Sequence, residues 1–373
     1  MTGASTASTE VTLATVQRAR ERINGFIYNS PCRHSIELSQ MTGQETFLKL
    51  DNVQRTGAFK ERGALNRILT LSNDEKRRGV ITASAGNHAQ AVAYHACARG
   101  INAQIVMPLM TPLVKVAATK GFGAEVVLHG ANYDEAYSFA LQSCAEQGMT
   151  FLHPFDDVEV INGQGSIGLE LLEQVPDLEA VVVPVGGGGL ISGVACAIKE
   201  SNPKVRVVGV QTERLPSMLR ATEAGHPVTI PASATVADGI AVRRAGDVTL
   251  PLVQRYVDEI VTVDEEEIAN AILVLLEKEK TLAEGAGAVA IASLLQHKTS
   301  LSGQRAAALV CGGNIDVSLL AKIIERGLAK DGRRLRLRIH LTDRPGALHQ
   351  LTKIIADLRA NTWRRNTTAL TTA

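Results

Sequence analysis

Neither sign of charge is in excess in this chain. Its 39 Lys and Arg residues stand against 38 Asp and Glu, a formal net charge of +1. That removes the electrostatic basis for binding nucleic acid or a membrane surface. Aromatic residues make up 3% of the sequence, and no basic patch is interleaved with them. Cysteine is sparse too: Cys32, Cys97, Cys144, Cys196 and Cys311 are scattered, with no Cys-x-x-Cys pair. This argues against a thiolate metal site or a disulfide framework and fits a reducing cytoplasm. No other metal-ligand spacing stands out, so a metal site is left unassigned. The segment Met1 to Ser5 lacks the basic-then-apolar pattern of a secretory signal. Low-complexity tracts are missing, and 373 residues are enough for two domains and a small appended one.

One uncharged stretch, residues 180–198, is long enough to suggest a membrane span. Pro184 and the run Gly186 to Gly189 would break such a helix, so strand–loop–helix is expected there. A βα rhythm surrounds it. Residues 11–25 carry helical spacing at Val11, Leu13, Val16 and Ile23. Short apolar strands are expected at 46–50, 79–83, 103–107, 125–128, 180–183, 205–210, 259–263 and 306–310. Helices are expected near 59–71, 88–99, 112–119 and 133–146. Such strands belong in sheets covered on both faces, an open α/β architecture with its ligand beyond the strand carboxyl ends.

After about Lys330 the pattern changes. Leu335 to Leu341 alternates like a half-exposed antiparallel strand, and Asp343 to Gly346 turns the chain. Leu348, Leu351, Ile354, Ile355 and Leu358 then recur at helical spacing. The basic residues between Lys330 and Arg338 read as a linker and a solvated strand face. This βα unit is too small to bury a core of its own.

Four segments carry chemistry. In Thr56-Gly57-Ala58-Phe59-Lys60 a lysine follows a tight turn at the start of a helix. The helix dipole there disfavours an ammonium and supplies free amine for a Schiff base. Taken alone, such a lysine is more often a solvated surface residue. Gly186 to Gly189, between a strand and a helix, free backbone N–H groups to wrap an anion. No register of these glycines fits Gly-x-Gly-x-x-Gly, and the Lys-Ser/Thr of a P-loop is missing. Ser84-Ala85-Gly86-Asn87-His88 lies where a strand gives way to a helix, suited to capping or to binding a carboxylate. His88 is read as packed or hydrogen-bonded more readily than as a general base. Cys311-Gly312-Gly313-Asn314 again ends a strand; its thiol is either inert or an uncharged partner for a ring nitrogen.

In this order, with Ala237-Asp238-Gly239 and Glu284-Gly285-Ala286-Gly287, the segments resemble the fold type II pyridoxal-phosphate enzymes, and among them the threonine (serine) dehydratases. The resemblance runs from about Val16 to Leu328. It implies two open twisted α/β lobes: a large cofactor-binding lobe of residues 1–52 and 151–330, and a small lobe of residues 53–150. It implies pyridoxal phosphate held covalently by Lys60, which later takes the substrate Cα proton. Phe59 would lie against the cofactor ring, and Asn87 would bond its 3′-oxygen. Gly186, Gly187, Gly188 and Gly189 would hold the phosphate, with Gly239 and Glu284 lining the pocket. Cys311 would face the ring nitrogen, and Ser84, Ala85, Gly86, Asn87 and His88 would receive the substrate carboxylate.

The reaction so implied is β-elimination of L-threonine to 2-oxobutanoate and ammonia, and of L-serine to pyruvate. A homodimer or homotetramer is expected. A neutral Cys311 leaves the ring nitrogen unprotonated, which favours elimination. Serine racemases are similar but carry a second serine where Ala85 stands, so a racemase is the alternative, with dehydration of another hydroxyamino acid. A non-catalytic amino-acid sensor is the rival of another class, and it has no need of Lys60. Residues 331–373 resemble the first strand and helix of an ACT regulatory domain through Asp343-Arg344-Pro345-Gly346-Ala347-Leu348. A complete ACT domain needs further strands and another helix, as a truncation or shifted reading frame would remove, which argues against feedback through this segment.

Overall fold

Short strands, three of them buried along their whole length, set the architecture of this computed structural model, which describes residues 10–359 except 331, 335, 336, 338 and 343. In chain order the strands are β1 (Cys32–His34), β2 (Glu45–Leu50), β3 (Val80–Ala83), β4 (Ala103–Met107) and β5 (Glu125–Leu128). They continue with β6 (Thr150–Phe151), β7 (Ala180–Pro184), β8 (Arg206–Thr212), β9 (Glu259–Val263) and β10 (Arg305–Val310). A six-stranded sheet has the order β1-β2-β10-β7-β8-β9, and a four-stranded sheet the order β5-β4-β3-β6. Among the strands of the described residues β1 pairs antiparallel with β2, and the remaining strand pairs are parallel.

Every residue of β3, β4 and β7 is buried, as an apolar strand with helices on both sides requires. The two-residue period divides the large sheet cleanly. Val181, Val183, Ala307 and Leu309 enter one core with the helices Val158–Gln174 and Gly189–Ser201. Ala180, Val182, Ala306, Ala308 and Val310 enter the opposite core with the helices Glu265–Glu277 and Gly285–Leu295. The small sheet is flanked likewise. Val80, Ile105 and Met107 pack with Ala64 and Ile68 of the helix Lys60–Leu69, while Ile81, Ala83 and Val106 face Ala136 and Ala140 of the helix Tyr133–Gln147.

The Lys60–Leu69 helix is held close to Val158–Gln174 because glycine meets glycine at the crossing. A Cβ on Gly163 would come within 2.7 Å of the Gly63 Cα. Beside that crossing Arg62 is fully buried, 2.8 Å from Asp51 and 2.6 Å from Glu170. Lys49, also buried, donates to Glu170 at 2.6 Å and to the Ser30 carbonyl at 2.6 Å.

The expected strands and helices are present within a few residues, including strand–loop–helix at 180–201. No helix among the described residues is long and apolar enough to cross a membrane. Among the elements not foreseen are β1, β6 and the helices Ile36–Thr42, Asn73–Arg78, Val158–Gln174 and Val317–Lys330. A second compact unit runs from Leu328 to Ala373. In it the expected helix is present as Ala347–Asp357. The expected strand is not borne out at Leu337 and Ile339 to Leu341, which are irregular; Leu335, Arg336 and Arg338 lie outside the described residues, as do Asp343 and residues 360–373.

Candidate active site

The turn before Lys60 is pinned by the segment that follows β10. Gly57 sits at φ 76°, a left-handed conformation that reverses the chain. Ala58 then bridges Gly312 in antiparallel fashion. The Phe59 N–H donates to the Cys311 carbonyl at 2.9 Å, and the Gly313 N–H to the Gly57 carbonyl at 2.9 Å. Lys60 is thereby the first residue of its helix, and its Nζ donates to the Pro154 carbonyl at 2.6 Å. Its pKa is lowered to about 8, and the cause is burial, opposed by Cys311 and Glu284. The helix-terminus cause expected from sequence gives way to desolvation, which disfavours the charged form.

Asn87, the first residue of the helix Asn87–Cys97, joins this turn through a chain of amides. Its Nδ2 donates to Glu284 Oε1 at 2.7 Å, and its Oδ1 accepts from Asn314 Nδ2 at 2.8 Å. The same Asn314 amide donates to the Thr56 carbonyl at 2.7 Å. Glu284 is buried, and burial with the nearby charge of Asp238 raises its pKa to about 7 against the Asn87 hydrogen bond. Gly239 lies against it: a Cβ there would stand 3.2 Å from Glu284 Oε1. The Cys311 thiol is buried and its pKa stands well above the ordinary value, so it is neutral; its Sγ faces the Ala286 carbonyl at 3.6 Å.

Ser84, Ala85 and Gly86 lead into that helix, and the space beside the Gly86 Cα is open. His88 is different. Its imidazole is buried against the Leu152 carbonyl, with Nε2 at 3.1 Å, and its pKa is lowered to about 3 by burial and by Lys60. This histidine is a neutral structural tie. At this turn the Ser84 hydroxyl stands beside the N–H groups that open the helix, which lack intrahelical acceptors.

The glycine run is enclosed by side chains. Gly188, at φ 102°, precedes the helix Gly189–Ser201. A Cβ on Gly188 would lie 2.5 Å from Met218 Cε, and one on Gly189 would lie 2.6 Å from the Phe155 carbonyl oxygen. Gly187 lies under the Phe155 ring, and its carbonyl accepts from Thr249 Oγ1 at 2.6 Å. Among the described residues the N–H groups of Gly186, Gly187 and Gly188 have no protein acceptor. They are free for an anion.

Sequence reasoning missed the piece that joins amine to glycine run. Pro154 accepts from Lys60, and Phe155 covers Gly187 and Gly189. His153 Nδ1 accepts from the N–H groups of Phe155 and Asp156 at 3.2 and 2.7 Å. Asp156 accepts from the N–H groups of Asp247, Val248 and Thr249. Asp157 caps the helix Val158–Gln174. Only that last role was readable, as an acid before an apolar helical run.

A lysine amine and an anion cradle on either side of one short segment make a distinctive pair. A family profile described as "Pyridoxal-phosphate dependent enzyme" matches residues 23–312. The chain belongs to this family. It is 50% identical over 351 residues to an L-threonine ammonia-lyase of Thermotoga maritima, covering 94% of this chain and 87% of that one. Among solved structures it is similar to the processed form of threonine deaminase isoform 2 from Solanum lycopersicum, with a TM-score of 0.79, 37% identity, and 84% and 91% of the two chains covered. Maize serine racemase matches with a TM-score of 0.80 and 34% identity over 86% of this chain and 99% of that one.

The residues present fit the family cofactor. Pyridoxal phosphate needs an amine, and Lys60 offers one whose charge burial disfavours. It needs a phosphate cradle, and Gly186 to Gly188 present free N–H groups at the start of a helix. The neutral Cys311 thiol suits an uncharged ring nitrogen.

Proposed function

We propose that this enzyme is a threonine ammonia-lyase, releasing ammonia from L-threonine to leave 2-oxobutanoate, and from L-serine to leave pyruvate. The observation that carries this reading is the half-buried Lys60 amine, bonded to Pro154, the residue before the Phe155 that covers the glycine cradle. The likeness to named threonine ammonia-lyases over nearly the whole chain supports it.

Pyridoxal phosphate, when bound, supplies an electron sink that acidifies the substrate Cα–H. The N–H groups of Gly186 to Gly189 would hold its phosphate, and Phe59 and Asn87 would orient its ring. Ser84 and the backbone from Ala85 to His88 hold the substrate carboxylate, which fixes the Cα–H toward Lys60. Lys60 Nζ takes that proton; a pKa near neutrality matches this task. The β-hydroxyl leaves as water, and a water is taken up as ammonia departs. Cys311, held neutral by burial, would leave the ring nitrogen unprotonated, which would favour elimination. The two sheets form the two lobes of this site, and the enzyme works as a cytoplasmic homodimer or homotetramer.

The test is 2-oxo acid release from L-threonine, L-serine and their D-isomers by the loaded enzyme. Failure to release 2-oxobutanoate from L-threonine would end this reading. Racemisation is the second reading, favoured by the likeness to maize serine racemase. Ala85 weighs against it: chiral chromatography is expected to show no D-serine from the native enzyme and measurable D-serine from Ala85→Ser.

A further inference from the structure

The segment from Ala237 to Arg244 crosses the site on one face and is fastened by two ion pairs on the other. Toward the site, Gly239 lies against Glu284, and the Ile240 Cα would stand 3.2 Å from a Cβ on Gly186. One short strap therefore touches both the Asn87–Glu284 end and the anion cradle. Its entry is anchored where Thr235 Oγ1 and the Val236 N–H donate to Glu265, each at 2.7 Å. Its exit is anchored where Ser217 Oγ donates to the Val242 carbonyl at 2.6 Å and the Ile230 N–H to the Arg243 carbonyl at 2.9 Å. Those anchors all belong to the large-sheet side.

The outward ion pairs do not. Lys115 Nζ meets Asp238 Oδ2 at 2.7 Å, and Arg243 Nη1 meets Asp134 Oδ2 at 2.6 Å. Lys115 lies on the helix Leu113–Gly121 and Asp134 on the helix Tyr133–Gln147, which flank the four-stranded sheet that carries Ser84 to His88. The four side chains are 27–65% exposed. Pairs this exposed add little to global stability. Both nevertheless join the same strap to the same sheet.

We propose that Lys115 and Arg243 are positioning residues for substrate binding, their ion pairs with Asp238 and Asp134 fastening the strap 237–244 so that the Ser84–His88 turn and the Gly186–Gly189 cradle close on one molecule. This assignment rests on the ammonia-lyase reading above. It makes the width of the cleft depend on two screened charges, so substrate capture responds to salt while the proton transfer at Lys60 does not.

The experiment uses the full-length loaded enzyme. Lys115→Met, Arg243→Met and the double variant are each expected to raise KM for L-threonine, by about fivefold singly and more together, with kcat within about twofold. The charge swap Lys115→Glu with Asp238→Lys is expected to restore KM toward the native value. In the native enzyme, about 1 M salt shortens the Debye length to about 3 Å and is expected to reproduce the KM rise, whereas the double variant shows no further rise. Amide hydrogen exchange over residues 237–244, read without any turnover, is expected to quicken in the double variant at unchanged Tm. Native KM and native exchange in the double variant would overturn the proposal. So would a Tm that falls in step with the KM rise, or a swap that leaves KM as high as Lys115→Met does. Should the native enzyme release no 2-oxo acid, the function reading falls alone, and the exchange measurement still decides whether the ion pairs hold the strap.

Discussion

Lys60 Nζ donates to the Pro154 carbonyl at 2.6 Å, and the next residue, Phe155, covers Gly187 and Gly189. The distance between amine and anion cradle is therefore set by a single turn of backbone. Lys60→Ala removes the amine and leaves this turn in place. Turnover is expected to fall by at least about 10³-fold, with no cofactor fixed to the chain by borohydride in a mass spectrum. Full turnover in this variant would exclude Lys60 as the base.

Burial holds the Lys60 pKa at about 8 in the folded apoprotein, below the ordinary 10.5. On the proposed reading it is the free amine that takes up the cofactor, so the rate of loading is expected to rise with pH up to about 8 and flatten above it. The linked stability has a definite sign. Between pH 8 and 10.5 the unfolded chain binds more protons at this residue than the folded one, so this group's contribution rises with pH across that window. Comparing Lys60→Met with the native apoprotein by denaturant titration isolates that slope.

Glu284 titrates in the other direction. Its pKa is raised from 4.5 to about 7. The stability tied to its protonated form is complete below pH 4.5 and is lost as pH rises through 7. Glu284→Gln keeps an acceptor for Asn87 and removes the charge. It is expected to add up to about 3 kcal/mol at pH 8 and almost nothing at pH 4.5. Equal denaturation midpoints for the two proteins at both pH values would contradict the assignment.

Gly188 occupies φ 102° with Met218 and Thr249 close by. Gly188→Ala places a Cβ in a left-handed conformation costing about 1–2 kcal/mol before any clash, so cofactor affinity is expected to fall at least tenfold. Titration of the apoprotein with pyridoxal phosphate reads this directly.

Arg62 neutralises Asp51 and Glu170 in a site closed to water. Arg62→Ala leaves Asp51 without a cation and Glu170 with Lys49 alone, and is expected to cost about 3–5 kcal/mol in denaturant unfolding.

What the sequence disclosed was whatever its local pattern contained. Gly186 to Gly189 follow an apolar strand, so their placement at its carboxyl end could be read directly. The helix Asn73–Arg78 was legible and was overlooked: Ser72 and Glu75 form a reciprocal cap, the Ser-x-x-Glu signature. Strand β1, Cys-Arg-His, has no apolar alternation and takes its conformation from β2. The two residues of β6 are too few for any period to register. The bond from Lys60 to Pro154 and the chain Asn314–Asn87–Glu284 join residues far apart in sequence. Only the folded chain brings them together. The cause of the Lys60 shift was misjudged for the same reason, since desolvation depends on the whole environment.

Strand β10 is inserted between β2 and β7. A chain emerging from the ribosome can pair β7 with β8 and β8 with β9, but the middle of its large sheet stays open until residues 305–310 arrive. Pairings of such long sequence separation form late. Cys311 to Asn314 follow at once and supply the partner of the Lys60 turn. A nascent chain that stops short of β10 already carries Lys60, Asn87 and the glycine run, yet lacks the segment that pins the Lys60 turn and the Asn314 amide that bonds Asn87. The turn that carries Lys60 is thus completed only by the last strand of the large sheet.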